Sequence, residues 1–75
     1  SKGESAVSFS LNDASDIALN VYDVSGRLVE SIANANYSAG EHSLSVNKNA
    51  SYNSGVYFIE LSVNGARMSK KLIVQ

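Results

Sequence analysis

The sequence predicts an all-β fold, a small sandwich of two antiparallel sheets, and three observations lead there. Apolar and polar residues alternate with period two in short runs, as strands buried on one face require. Clusters of Gly, Asn, Asp and Ser separate the runs. Six such runs share 75 residues, which leaves no room for helical crossovers and favours antiparallel pairing. Periodicity alone does not separate a sandwich from a small closed barrel.

The first strand spans residues 6–12, where Val7, Phe9 and Leu11 alternate with Ser8, Ser10 and Asn12. Residues 12–16 are a polar turn. In the second strand Ile17, Leu19 and Val21 alternate with Ala18, Asn20 and Tyr22, and it ends near Asp23. Ser25-Gly26 follows as a tight turn, with Gly supplying positive φ. The third strand covers residues 27–33 with Leu28 and Ile32 inward. Glu30 between them breaks the pattern and predicts a bulge or a strand end beside it.

Residues 34–40 read as a polar loop carrying Tyr37, and Gly40 turns the chain into a fourth strand with His42, Leu44 and Val46 on one face. Residues 47–54, rich in Asn and Ser, form the longest expected loop. The fifth strand, residues 56–63, holds Tyr57, Ile59, Leu61 and Val63 inward. Asn64-Gly65 is the strongest hairpin signal in the chain. The sixth strand runs over residues 66–74 with Met68, Leu72 and Val74 on one face, and Arg67, Lys70 and Lys71 place charge along an edge. The expected core is Phe9, Leu19, Val21, Leu28, Ile32, Leu44, Val46, Tyr57, Ile59, Leu61 and Leu72. Residues 1–5 carry no apolar run and read as a linker or an artificial remnant, which leaves residues 6–75 as one domain.

Composition removes several function classes. The chain has no Cys, so it has no thiolate nucleophile, disulfide or Cys-based metal site. Six Lys plus Arg against seven Asp plus Glu give a formal net charge of −1, and no basic run exceeds Lys70-Lys71, so nucleic acid is a poor partner. Apolar runs such as Leu72-Ile73-Val74 fall far short of the roughly 20 residues of a membrane-spanning helix. His42 is the only histidine and has no nucleophile or orienting group near it in sequence, so it reads as structural. Asn12, Asp13 and Asp16 offer too few oxygens for calcium and read as a turn. Tyr37 and Tyr52 fall in different loops and Tyr57 in the core, which speaks against a sugar-stacking platform. An enzyme is not expected, and neither is a cofactor.

Four segments stand in a telling order: Val21-Tyr22-Asp23-Val24-Ser25-Gly26-Arg27-Leu28-Val29, then Ala39-Gly40-Glu41-His42, then Ser54-Gly55-Val56-Tyr57-Phe58-Ile59, and last Lys70-Lys71-Leu72-Ile73-Val74-Gln75. Together, from about Val7 to Gln75, they resemble the type A C-terminal sorting domain of proteins exported by the bacterial type IX secretion system. The resemblance implies an immunoglobulin-like sandwich of about six to seven strands behind a secreted cargo. It also implies passage from periplasm to cell surface through an outer-membrane translocon, and a sortase that removes the domain. Members often open on Pro-Asn-Pro, whereas this chain contains no Pro. The same segments are similar to the small immunoglobulin-like domain of the flagellar hook-capping protein, and a carbohydrate-binding or adhesive module is the other alternative. The closing Lys-Lys-Leu-Ile-Val-Gln favours sorting, because a sorting signal is expected at the end of a chain. On this resemblance Lys70, Lys71, Leu72, Ile73, Val74 and Gln75 become candidates for partner recognition, with Gly26 and Arg27 beside them. Read without it, the lysines are a solvated edge and Arg27 a turn residue.

Overall fold

The computed structural model describes residues 4–48 and 51–75. Six strands make up its regular structure: β1 (Ser5–Leu11), β2 (Ser15–Asp23), β3 (Leu28–Tyr37), β4 (Gly40–Val46), β5 (Gly55–Val63) and β6 (Ala66–Val74). They form two antiparallel sheets, β1-β4 and β3-β2-β5-β6, so the architecture is a small sandwich of the immunoglobulin-like kind rather than a closed barrel. Of the segment expected as a linker, residues 1–3 lie outside the described residues, and Ser5 already opens β1. Residues 49–50 of the expected long loop also lie outside them.

The core follows from the alternation. Ile17, Leu19 and Val21 of β2 face Val63, Leu61 and Ile59 of β5 in register, and all but the half-buried Val63 are buried. Leu11, Ala33, Val46, Tyr57 and Val74 complete the buried set, so every strand contributes. Phe9, Ile32, Leu44 and Leu72 pack against it half-buried. Fully burying a Leu, Ile or Val contributes roughly 1.5–3 kcal/mol, which is why a chain this short needs an inward residue from each strand.

β3 departs from expectation in two ways. It continues through residues 34–37, which had read as a loop. There Asn34 and Asn36 alternate with Ala33, Ala35 and Tyr37, so the period is two, but two of the three residues on the inner phase are alanines and the signal is weak. The bulge expected beside Glu30 is present, and it is double. The register slips at Ile32 and again at Val29, leaving Ser31 opposite Asn20, Glu30 opposite Val21, and Leu28 opposite Tyr22. The slip at Ile32 brings Glu30 to the inner side opposite Val21, and the slip at Val29 turns Leu28 to the outer face, where it is 57% exposed. Leu28 is therefore not a core residue.

Two turns at opposite ends of the larger sheet fix its strands. Asn64 (φ 50°) and Gly65 (φ 90°) form the two-residue β5–β6 hairpin, a type I′ geometry that Asn-Gly favours. Asn64 also docks on the start of β2: its Oδ1 accepts from the Asp16 amide and its own amide donates to the Asp16 carbonyl, each at 2.8 Å. At the other end Asp23 closes the β2–β3 turn.

Candidate recognition site

The β2–β3 turn is built around one carboxylate. Asp23 Oδ1 accepts from the Ser25 amide at 2.9 Å, the Ser25 hydroxyl at 2.6 Å and the Arg27 amide at 3.1 Å. The Gly26 amide donates to the Asp23 carbonyl at 3.0 Å, and Gly26 takes φ 88°, a conformation Gly enters without penalty. The Ser25 hydroxyl is the main reason the Asp23 carboxyl sits below its ordinary pKa; desolvation opposes it, while the Arg27 and Ser25 amides and the Arg27 charge add to it. Gly26 and the backbone of Arg27 thus shape the turn, and the Arg27 side chain is left exposed.

β6 carries the other candidates. Residues across an antiparallel ladder share a face, so Leu72 opposite Tyr57 and Lys70 opposite Ile59 lie on the inner face, while Lys71 opposite Phe58 and Ile73 opposite Val56 lie on the outer one. Val74 is buried, Leu72 half-buried and Ile73 57% exposed. The two lysines point to opposite faces and both are exposed. Met68 also lies on the inner side, opposite Leu61, yet it is 59% exposed. The inner face of β6 is therefore covered near Val74 and open from Lys70 back to Met68. Gln75 lies exposed beyond the strand.

The two candidate groups occupy the same end of the larger sheet but do not touch. A single row in register runs Leu28, Tyr22, Phe58, Lys71 from β3 to β6, with Val56 and Ile73 just beyond it. Three strand spacings of about 4.8 Å separate its ends by about 14 Å. Sequence reasoning missed this outward apolar row. The signal was available: Tyr22 and Phe58 fall on the polar phase of strands whose other phase fills the core.

Several other polar and aromatic residues are held by contacts of their own. His42 Nε2 lies 2.8 Å from the Ser38 carbonyl, and its ring packs against Phe9 and Tyr37. Tyr37 is not in a loop; it ends β3 in that cluster. The Tyr52 ring stacks obliquely on Tyr57, and its hydroxyl donates to Glu30 at 2.5 Å; burial, then the Glu30 bond and charge, push the phenol pKa up. Asp16 Oδ1 accepts from the Asn36 side chain at 3.0 Å, and the Ser15 hydroxyl bonds the Asp13 carbonyl at 2.9 Å. No cluster of three potential metal ligands occurs among the described residues.

Residues 1–75, the whole chain, match one family model, described as the secretion system C-terminal sorting domain. The chain belongs to that family, the sorting domain of type IX secretion. No curated protein and no solved structure matches it. In this sorting domain the Asp-Val-Ser-Gly-Arg segment is the Asp23-centred turn, and Ser-Gly-Val-Tyr-Phe-Ile opens β5. Its closing Lys-Lys-Leu-Ile-Val lies on an edge strand. These segments of the chain are thus partly turn chemistry and core, and partly surface.

Proposed function

We propose that this domain is a non-catalytic export module. A cargo precedes it in the precursor; the domain carries that cargo from the periplasm through the type IX translocon to the cell surface, where a sortase removes the domain. The translocon reads residues 70–75, with Gly26 and Arg27 supporting that end of the sheet. The observation that carries this reading is the edge strand β6, where Lys70, Lys71 and Ile73 are exposed while Leu72 and Val74 anchor the same strand in the core. One strand combines a fixed position with free side chains. The commitment of His42 to the Ser38 carbonyl and two aromatic rings supports the non-catalytic part.

The test is a secreted reporter fused ahead of the domain and followed to the cell surface. Lys70→Ala with Lys71→Ala removes charge and no buried area. If the doubly substituted domain stays folded and the reporter accumulates in the periplasm, recognition by β6 is supported. Normal export by both that variant and a folded domain lacking residues 72–75 would place the signal elsewhere.

A further inference from the structure

β6 lies at the margin of the β3-β2-β5-β6 sheet, so among the described residues no strand stands beside one side of its backbone. Its ladder with β5 runs unbroken for nine pairs, from Val63↔Ala66 to Gly55↔Val74. The hairpin geometry tells which backbone groups remain. In a two-residue type I′ hairpin the residues flanking the turn form a hydrogen-bonded pair, so Ala66, Met68, Lys70, Leu72 and Val74 turn their N–H and C=O toward β5. Arg67, Ser69, Lys71 and Ile73 therefore turn theirs outward: a straight row of alternating donors and acceptors, the template onto which a further strand adds.

Side chains along that row define what fits. Arg67 and Lys71 lie on the outer face and Lys70 on the inner, all exposed, and none forms an ion pair with a described residue. Apolar side chains stand beside them on both faces, Ile73 outside and Met68 inside. A second copy of the chain fits poorly. Antiparallel self-pairing centred on Ser69 sets Arg67 opposite Lys71, and centring on Lys70 sets that lysine opposite itself; like charges directly opposite are destabilising.

We propose that β6 takes up an extended segment of a partner protein as a fifth strand of the larger sheet, and that this segment carries carboxylates beside Lys70 and Lys71 and apolar residues beside Met68 and Ile73. The inference rests on the reading of β6 as the export signal and deepens it. Main-chain bonding holds the partner, while charges that repel a like strand select an acidic one.

The experiment separates backbone from side chain. Ser69→Pro removes one outward N–H and leaves the ladder to β5 intact, and proline is tolerated at that side of an edge strand. Ser69→Ala removes the same hydroxyl and keeps the N–H. Each is placed behind the secreted reporter, with folding of the purified domain checked by circular dichroism. The expected result is parental export for Ser69→Ala and a loss of about tenfold or more at the cell surface for folded Ser69→Pro. Should Ser69→Pro fail to fold, Ile73→Pro against Ile73→Ala makes the same comparison close to the strand's end. Export by a folded proline variant at the level of its alanine control overturns strand addition; if Lys70→Ala with Lys71→Ala still blocks export, the sorting reading survives it. A parental domain that sediments as a dimer, and a proline variant that does not, overturns it by making the occupant a second copy.

Discussion

The two margins of the four-stranded sheet are built in opposite ways. At β3 the ladder slips twice, Glu30 is held by the Tyr52 hydroxyl, and the entry is locked by three bonds to one Asp23 oxygen. Bulges of this kind twist an edge away from potential partners. At β6 the ladder is regular over nine pairs, and lysines and an arginine guard it in place of geometry. Over residues 28–32 geometry closes the β3 edge to every strand, whereas charge closes β6 to like strands only. If β6 is the recognised edge, as proposed, the domain gains from having one edge of each kind.

Both margins hang on β5 and β2, so the largest effect comes from the shared centre. Leu61, 6% exposed and paired with Leu19 and Met68, anchors the sheet. Leu61→Ala is expected to cost about 2–5 kcal/mol, much of the stability of so small a domain. Urea unfolding measures it, and native-state hydrogen exchange should show protection lost in β3 and β6 together. Loss confined to one margin would break the picture of a common core.

A smaller effect falls on the closed margin alone. Gly26→Ala meets no atom within 4 Å, so its cost is the left-handed backbone at φ 88°. That strain is about 1–2 kcal/mol, a fall in Tm of roughly 4–16 °C for a domain of this size. Calorimetry checks the size, and unchanged exchange along β6 checks the location.

This contrast also marks what the sequence could reveal. The Asn64-Gly65 hairpin, the inward phases of β2 and β5 and the bulge beside Glu30 are local, and each was legible from its own residues. Leu28 was not, because its face depends on how many residues the bulges absorb: one slip would leave it on one side, two slips on the other. The exposure of Met68 was equally hidden. Its phase points inward, but among the described residues the opposing sheet has two strands, and no pattern within β6 records how far that sheet reaches. Of the candidate site, residues 70–75 and Gly26-Arg27 could be named as segments, while the row that links their ends, Leu28, Tyr22, Phe58 and Lys71, exists only once register is known.

Acid should loosen the closed margin before the open one. The bonds on Asp23 lower its pKa from the ordinary value of about 3.9, so they stabilise the fold above that pH, and the contribution is lost as pH falls through the lowered folded value. Asp23→Asn lacks this charge at every pH. Its melting temperature is therefore expected to lie below that of the parent at neutral pH and to converge on it as pH drops below about 4. The effect is small because the bonds on Asp23 lie at the surface, where solvent screens the charge. A gap that stays constant with pH would mean the carboxylate's charge contributes nothing to the turn.

The smallest change in stability belongs to the open margin, and it comes with the sharpest change in behaviour. Lys70 and Lys71 are exposed and form no ion pair with a described residue, so Lys70→Ala with Lys71→Ala should shift unfolding by less than about 0.5 kcal/mol. The same substitutions strip two cations from an edge whose outward backbone groups stay available and whose neighbours Met68 and Ile73 are more than half exposed. With repulsion gone, antiparallel self-pairing has little left to oppose it. Sedimentation across a concentration series should show the variant associating where the parent stays monomeric, and restoring either lysine alone should reverse part of the shift. If charge is the guard, raising the salt concentration should move the parent toward the variant, because exposed charges beyond a Debye length are screened. A parent that associates as readily as the double variant would show that something other than charge, such as twist or side-chain bulk, keeps this edge single.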